Sequence, residues 1–219
     1  MYSKTAPAPQ KKMLVVLSGG LDSATALSLA VLNAEKVAVL NFNYNQRHSR
    51  EVQSALELCT HYDIAERYFF ESPDLAFIHP PFKYGGGAEP LLPQTWKPGR
   101  NMVFLAYATS LAYTVGASIV VTGIHQEDYP GYPDCREWFL VNMETTAQAA
   151  LSSPVQLWTP FLHKTKTEIV KLGLELGTPY SLTWTCYAGG EKPCHECDAC
   201  IRRERAFVAN GTIDPLLKE

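Results

Sequence analysis

The chain has 219 residues, 46% of them hydrophobic, and a formal net charge of −3. That composition supports one full-sized core, argues against an electrostatic nucleic-acid binder, and contains no apolar run near the roughly 20 residues of a membrane span. The opening "MYSKTAPAPQKK" lacks the apolar centre of a signal peptide and reads as a loose tail over residues 1–12 of a cytoplasmic protein.

"KKMLVVL" is a continuous apolar run before a glycine loop, the pattern of a buried parallel strand. Ser23–Asn33 predicts a helix, "KVAVLNFNY" a second strand, "SREVQSALELCTHY" an amphipathic helix and "ERYFFE" a third strand. Residues 72–99 are rich in proline and glycine and too long for an ordinary connection, so they read as a lid over a site. Asn101–Val115 is apolar nearly all round and predicts a buried helix. "SIVVTG" follows as a fourth strand, "REWFLVNMETTAQAAL" as a helix, "VQLWTP" as a fifth strand, and "TKTEIVKLGLELG" as a helix closed by Gly177. Alternating strands and helices predict an α/β fold with a doubly wound, mainly parallel five-stranded sheet over residues 13–182. Residues 183–219 form a cysteine-bearing C-terminal segment. Ligands of such sheets sit beyond the strands' carboxyl ends. There the chain places "SGGLDS", "NYNQRH", "GIHQEDYPGYPDCR" and "TPFLHKTKTE", with "KPGRN" at the end of the long loop.

In "SGGLDS", Gly19 and Gly20 allow close backbone approach to a ligand. Loop amides and the following helix N-terminus suit an anion. Ser18 and Ser23 add hydroxyl groups, and Asp22 is suited to capping the helix or holding Mg²⁺ beside phosphates. The GK[ST] ending of the common P-loop is missing. The segment resembles the pyrophosphate-binding loop of the ATP pyrophosphatase superfamily, which implies ATP contacts from Leu17, Ser18, Gly19, Gly20, Leu21, Asp22, Ser23, Ala24, Thr25, Ala26 and Leu27.

Cys186, Cys194, Cys197 and Cys200 lie within "TCYAGGEKPCHECDAC". Four thiolates fill a tetrahedral Zn²⁺ and leave no position for water, so such a zinc is structural. An iron–sulfur cluster also takes four cysteines, and spacing leaves that open. Cys59 falls on an apolar helix face, Cys135 at the edge of the site.

Taken together, "LSGGLDSAT", "NYNQRHSRE", "PGRNMVFL", "GYPDCRE" and "LTWTCYAGGEKPCHECDAC" resemble the 7-cyano-7-deazaguanine synthase family over nearly the whole chain. The resemblance implies conversion of 7-carboxy-7-deazaguanine, ATP and ammonia to the nitrile, a structural zinc, Mg²⁺ with ATP, and a homodimer. Asp22, Lys166 and Arg100 are the implied catalytic residues. Arg47, His48, Arg100, Asn101, Asp128, Tyr132, Asp134 and Arg136 are the implied substrate contacts. Tyr129, Tyr132 and Phe42 are candidates for the face of the base. Asn43 and Asn45 depart from the family's "DYGQRH", and His195 stands where relatives often carry glycine. Alternatives are another adenylating enzyme of the superfamily, such as a tRNA modifier or an enzyme conjugating the deazaguanine to a protein amine, and a non-catalytic zinc-ribbon module.

Overall fold

The computed structural model describes residues 10–44, 49–71 and 97–217. The strands are β1 (Gln10–Val16), β2 (Ala34–Asn43), β3 (Glu66–Glu71), β4 (Ile119–Val121) and β5 (Gln156–Trp158). They form one five-stranded sheet in the order β3-β2-β1-β4-β5, and every pairing is parallel. β1 begins within the stretch read as tail. The helices are α1 (Leu21–Asn33), α2 (Ser49–His61), α3 (Arg100–Val115), α4 (Glu137–Leu151), α5 (Lys166–Glu175) and α6 (Asp198–Ala209).

Strand periodicity sorts the central side chains onto two covered faces. Met13, Val15 and Leu17 pack with residues of α1, α2, α5 and α6. Leu14, Ala38, Leu40 and Phe42 pack with residues of α3 and α4. β1 is followed outward by β2 and β3, and the chain then returns to lay β4 on the other side of β1. The loops after β1 and β4 therefore diverge and leave a crevice between them, the switch point where such sheets bind ligands.

Two expectations need correction. α3 is buried along one stripe only, at Leu105, Ala108, Thr109 and Ala112, while Met102 and Tyr113 are 52% and 57% exposed. An apolar helix lying on one face of a sheet has a second side that the rest of the fold does not cover. The C-terminal segment, read only as cysteine-bearing, also contributes to the main core. α6 buries Ala206 and Phe207 in the main core, and the Phe207 ring meets Tyr180 edge-on at 5.2 Å. Arg203 and Asp214, 3% and 4% exposed, form a two-pronged ion pair. The same guanidinium donates to Thr183 Oγ1 at 2.7 Å and to the Tyr180 carbonyl at 2.9 Å.

Candidate active site

The loop after β1 turns at Gly19, whose φ of +98° is strained for residues with a Cβ. A Cβ there would also collide with the Glu51 carbonyl oxygen in the first turn of α2. Gly123, just after β4, lies so close to α1 that a Cβ would come within 2.9 Å of the Ser23 nitrogen. Ser18 Oγ accepts the Gly20 N–H at 3.2 Å and lies 3.0 Å from Ser23 Oγ, which donates to the Gly20 carbonyl. Gly20 is the N-cap of α1, and no side chain caps the helix. The helix start is thus free of a capping side chain from the N-cap position and suits an anion, and Asp22 is not the N-cap residue.

Asp22 instead meets Lys166, the first residue of α5, with Oδ2 and Nζ 2.5 Å apart. α5 starts at this point because Thr165 and Glu168 form a reciprocal capping box. Glu127 Oε1 fixes the lysine's main chain by accepting its N–H at 2.7 Å. Burial works against the Asp22 carboxylate, but Lys166 and His125 together hold it below the usual range. Asp22 Oδ1 is buried without a hydrogen-bond partner. Asp128 completes the group, 3.5 Å from His125 Nε2, and burial pushes its carboxyl up. A lone histidine after "VVTGI" carries no motif, so sequence reasoning missed His125. Its signal was position: it follows the carboxyl end of the strand beside β1.

A second group lies around the start of α3. Arg100 donates to Tyr44 Oη at 3.4 Å and is within electrostatic reach of Asp134, Tyr132 and Glu51. Asp134 Oδ2 accepts the Asn101 N–H at 2.9 Å, while Oδ1 is buried without a partner. Asn101 Nδ2 donates to the Asp134 carbonyl and to Cys135 Sγ, both at 3.2 Å. Tyr187, in the cysteine segment, is within electrostatic reach of Glu51, Asp128 and Tyr132, and so borders both groups.

Several expected contact residues already have partners within the protein. The side chains of Leu17, Leu21, Ala24, Thr25, Ala26 and Leu27 are fully buried, which leaves these residues only their main chain to offer a nucleotide. Thr25 Oγ1 is bonded to Tyr180 Oη at 2.8 Å. Phe42 is stacked on Phe104 at 4.0 Å within the core. Arg136 stands at the N-cap position of α4 without a side-chain capping bond, and its Nε donates to the Tyr129 carbonyl at 3.3 Å. Tyr132 packs against the second core face. Arg47, His48, Asn45 and residues 72–96 of the expected lid lie outside the described residues.

The sulfurs of Cys186, Cys194, Cys197 and Cys200 all lie within 4.8 Å of one another. A tetrahedral zinc with bonds of about 2.3 Å separates its sulfurs by about 3.8 Å, so the four residues suit a zinc site. Main-chain N–H groups of Glu196 and Cys197 pull the Cys194 thiol down to about 6, which favours the metal-binding thiolate. His195 is not in the set. Its φ of +61° is a left-handed conformation that glycine adopts most readily, and its backbone N–H bonds to Cys200 Sγ. The cluster abuts the loop after β1: Trp184, 1% exposed, donates its main-chain N–H to the Gly19 carbonyl at 3.0 Å and its ring N–H to the Cys186 carbonyl at 3.1 Å.

A family model described as "Queuosine biosynthesis protein QueC" matches residues 12–211. The chain belongs to this family. A 7-cyano-7-deazaguanine synthase of Archaeoglobus fulgidus is 38% identical, with 95% of this chain and 90% of the relative covered. One from Marinobacter nauticus is 40% identical, with 94% and 97% covered. Among solved structures, NMN synthetase from Francisella tularensis shares the fold, at 20% identity and a TM-score of 0.53 over 94% of this chain and 79% of that one. No helix among the described residues of this QueC-family chain is long and apolar enough to cross a membrane.

Two outcomes follow. His195→Gly should relieve the left-handed backbone and stabilise the protein by about 1 kcal/mol, or about 3 °C in Tm, with elemental analysis still giving about one zinc per chain. Burial raises the Glu51 carboxyl from 4.5 to about 7, against the opposing charge of Arg100. Between those pH values the folded chain binds a proton that the unfolded chain has lost, so this group's contribution to stability falls as pH rises. The thermal-stability advantage of Glu51→Gln over wild type should therefore grow across that window to a plateau on the order of 2 kcal/mol.

Proposed function

We propose that the chain converts 7-carboxy-7-deazaguanine, ATP and ammonia to 7-cyano-7-deazaguanine in the cytoplasm. The observation that carries this reading is the meeting of an uncapped glycine loop, Asp22 and Lys166 at the sheet's switch point in a QueC-family chain. The matching relatives are named for that synthase.

A carboxylate has no leaving group that ammonia can displace. Attack of its oxygen on the α-phosphate of ATP expels pyrophosphate and makes AMP the leaving group. Ammonia then displaces AMP to give the amide. Adenylation of the amide oxygen follows, and loss of AMP and the remaining N–H protons leaves the nitrile. One nucleotide site and one base site serve both rounds.

The main-chain N–H groups at the start of α1 take the phosphates, joined by the Ser18 and Ser23 hydroxyls as they exchange their contacts with each other and with Gly20 for the ligand. Lys166, with Nζ at the same junction, neutralises charge that builds up as pyrophosphate departs. The unpartnered Oδ1 of Asp22 fits a hard divalent cation, and bound Mg²⁺ supplies further neutralisation of the phosphates. Arg100 suits the substrate carboxylate, because a guanidinium fork binds two oxygens. Asp134 Oδ1 is an acceptor for an N–H on the base edge. Asn101 acts by holding Asp134 in place. Asp128, Tyr132, Arg136, Arg47 and His48 remain in this reading as contacts at the border of the base site.

The reading includes a homodimer, implied by the family resemblance. The neighbouring helices α3 and α4 expose Met102, Tyr113, Trp138 and Val141, large apolar side chains that a second copy of this chain would cover.

Mass spectrometry of a reaction with the carboxy-deazaguanine, ATP and ammonium should show the nitrile and AMP. A product that stops at the amide would defeat the nitrile claim, and transfer to a protein amine would favour the conjugating alternative. Asp22→Asn should lower kcat/KM at least roughly a hundredfold while keeping its zinc and melting within a few degrees of wild type. Sedimentation should give a dimer that Trp138→Glu shifts to monomer, and a monomeric wild type would remove that part of the reading.

A further inference from the structure

The chemistry above leaves His125 unused, although its side chain is 6% exposed and stands at the centre of the Asp22 group. Its Nδ1 accepts the backbone N–H of Glu127 at 3.2 Å. That donor is fixed in a one-turn helix, so the ring carries its proton on Nε2. Nε2 lies 3.2 Å from Lys166 Nζ, 3.5 Å from Asp128 Oδ1 and 3.7 Å from Asp22 Oδ2. In this tautomer the ring N–H and the ammonium are both donors and cannot bond to each other. The ammonium is held by Asp22, and nothing from His125 restrains it. Phosphates arriving in the adjoining loop offer Lys166 a stronger anion. Its departure would leave Asp22 Oδ2 without its donor, even with a cation on Oδ1, in a partly buried site.

We propose that His125 is a positioning residue that takes over Asp22 Oδ2 when Lys166 moves onto the phosphates, so that the Asp22–Lys166 pair is a resting contact which nucleotide opens. Ring and carboxylate must close by roughly 0.8 Å to reach an ordinary hydrogen bond. The backbone of Glu127 anchors the far nitrogen throughout, so ring orientation is set before nucleotide arrives. The proposal rests on the adenylation reading, and its test separates the two.

His125→Leu removes the donor and keeps an apolar fill; His125→Gln retains an N–H at similar reach. Binding of a non-hydrolysable ATP analogue with Mg²⁺ is measured by calorimetry, and KM is determined for each substrate. Loss of one hydrogen bond to a charged group should weaken nucleotide binding, and raise the KM for ATP, about tenfold or more in the leucine variant. The KM for the carboxylate should stay within about twofold, and glutamine should recover most of the nucleotide affinity. A leucine variant that binds nucleotide like wild type, a parallel rise in both KM values, or a glutamine variant as weak as leucine would overturn the proposal. If leucine prevents folding, judged by melting and zinc content, glutamine decides alone: near-wild-type affinity supports the role, and a tenfold loss overturns it. Wild-type protein that binds no nucleotide would instead overturn the adenylation reading and this inference with it.

Discussion

The reversal of strand order between β1 and β4 is the constraint on which the site depends. Strands laid down in one direction only, each beside the last, would have sent consecutive loops the same way and closed the gap above them. Because the chain builds outward from β1 through β3 and then crosses back, the loop holding Ser18–Ser23 and the turn at Gly123–Asp128 face each other across an opening. Gly123 allows the two to approach closely enough for His125 to reach Asp22. α5 then closes the third side with Lys166. The chemistry is thus assembled from three stretches remote in sequence, each leaving a buried strand or entering a helix.

The cysteine segment belongs to the same assembly. Trp184 links the main chain of a metal-ligating cysteine to the turn at Gly19, and Arg203 ties α6 to the main chain at Tyr180 and Thr183. Tyr180 in turn bonds Thr25 within α1. A structural metal at this place does more than close a terminal loop. It fixes one wall of the crevice, with support from apolar burial at Phe207 that a zinc-only staple would lack.

Much of this was legible in the amino acids. Strand β1 and the loop after it were read from an unbroken apolar run meeting two glycines, and β3 was read to its limits because "ERYFFE" is bounded on both sides. The family resemblance singled out Asp22, Lys166, Arg100, Asn101 and Asp134, and the fold gathers these into two groups around the start of α1 and the start of α3. What failed did so for physical reasons. α6 was not predicted, because cysteines and the charged "CIRRER" conceal the spacing that buries Ala206 and Phe207. The outer face of α3 was taken as buried because an apolar helix does not state how many partners it has. His125 went unread because its role lies in its neighbours, and those come from α1, α5 and its own turn.

The contact between Asp22 and Lys166 spans 144 positions, and the turn at Gly19 receives its last main-chain partner from Trp184. During synthesis the glycine loop emerges early, yet the lysine and tryptophan that complete its surroundings leave the ribosome near the end. Long-range closure of this kind is entropically demanding and slow. A nascent chain therefore carries a phosphate-shaped loop without its charge partner for most of its translation. The site exists only once the C-terminal quarter has docked, so chains cut short before that point lack more than a metal cluster: they lack the wall against which the nucleotide would be held.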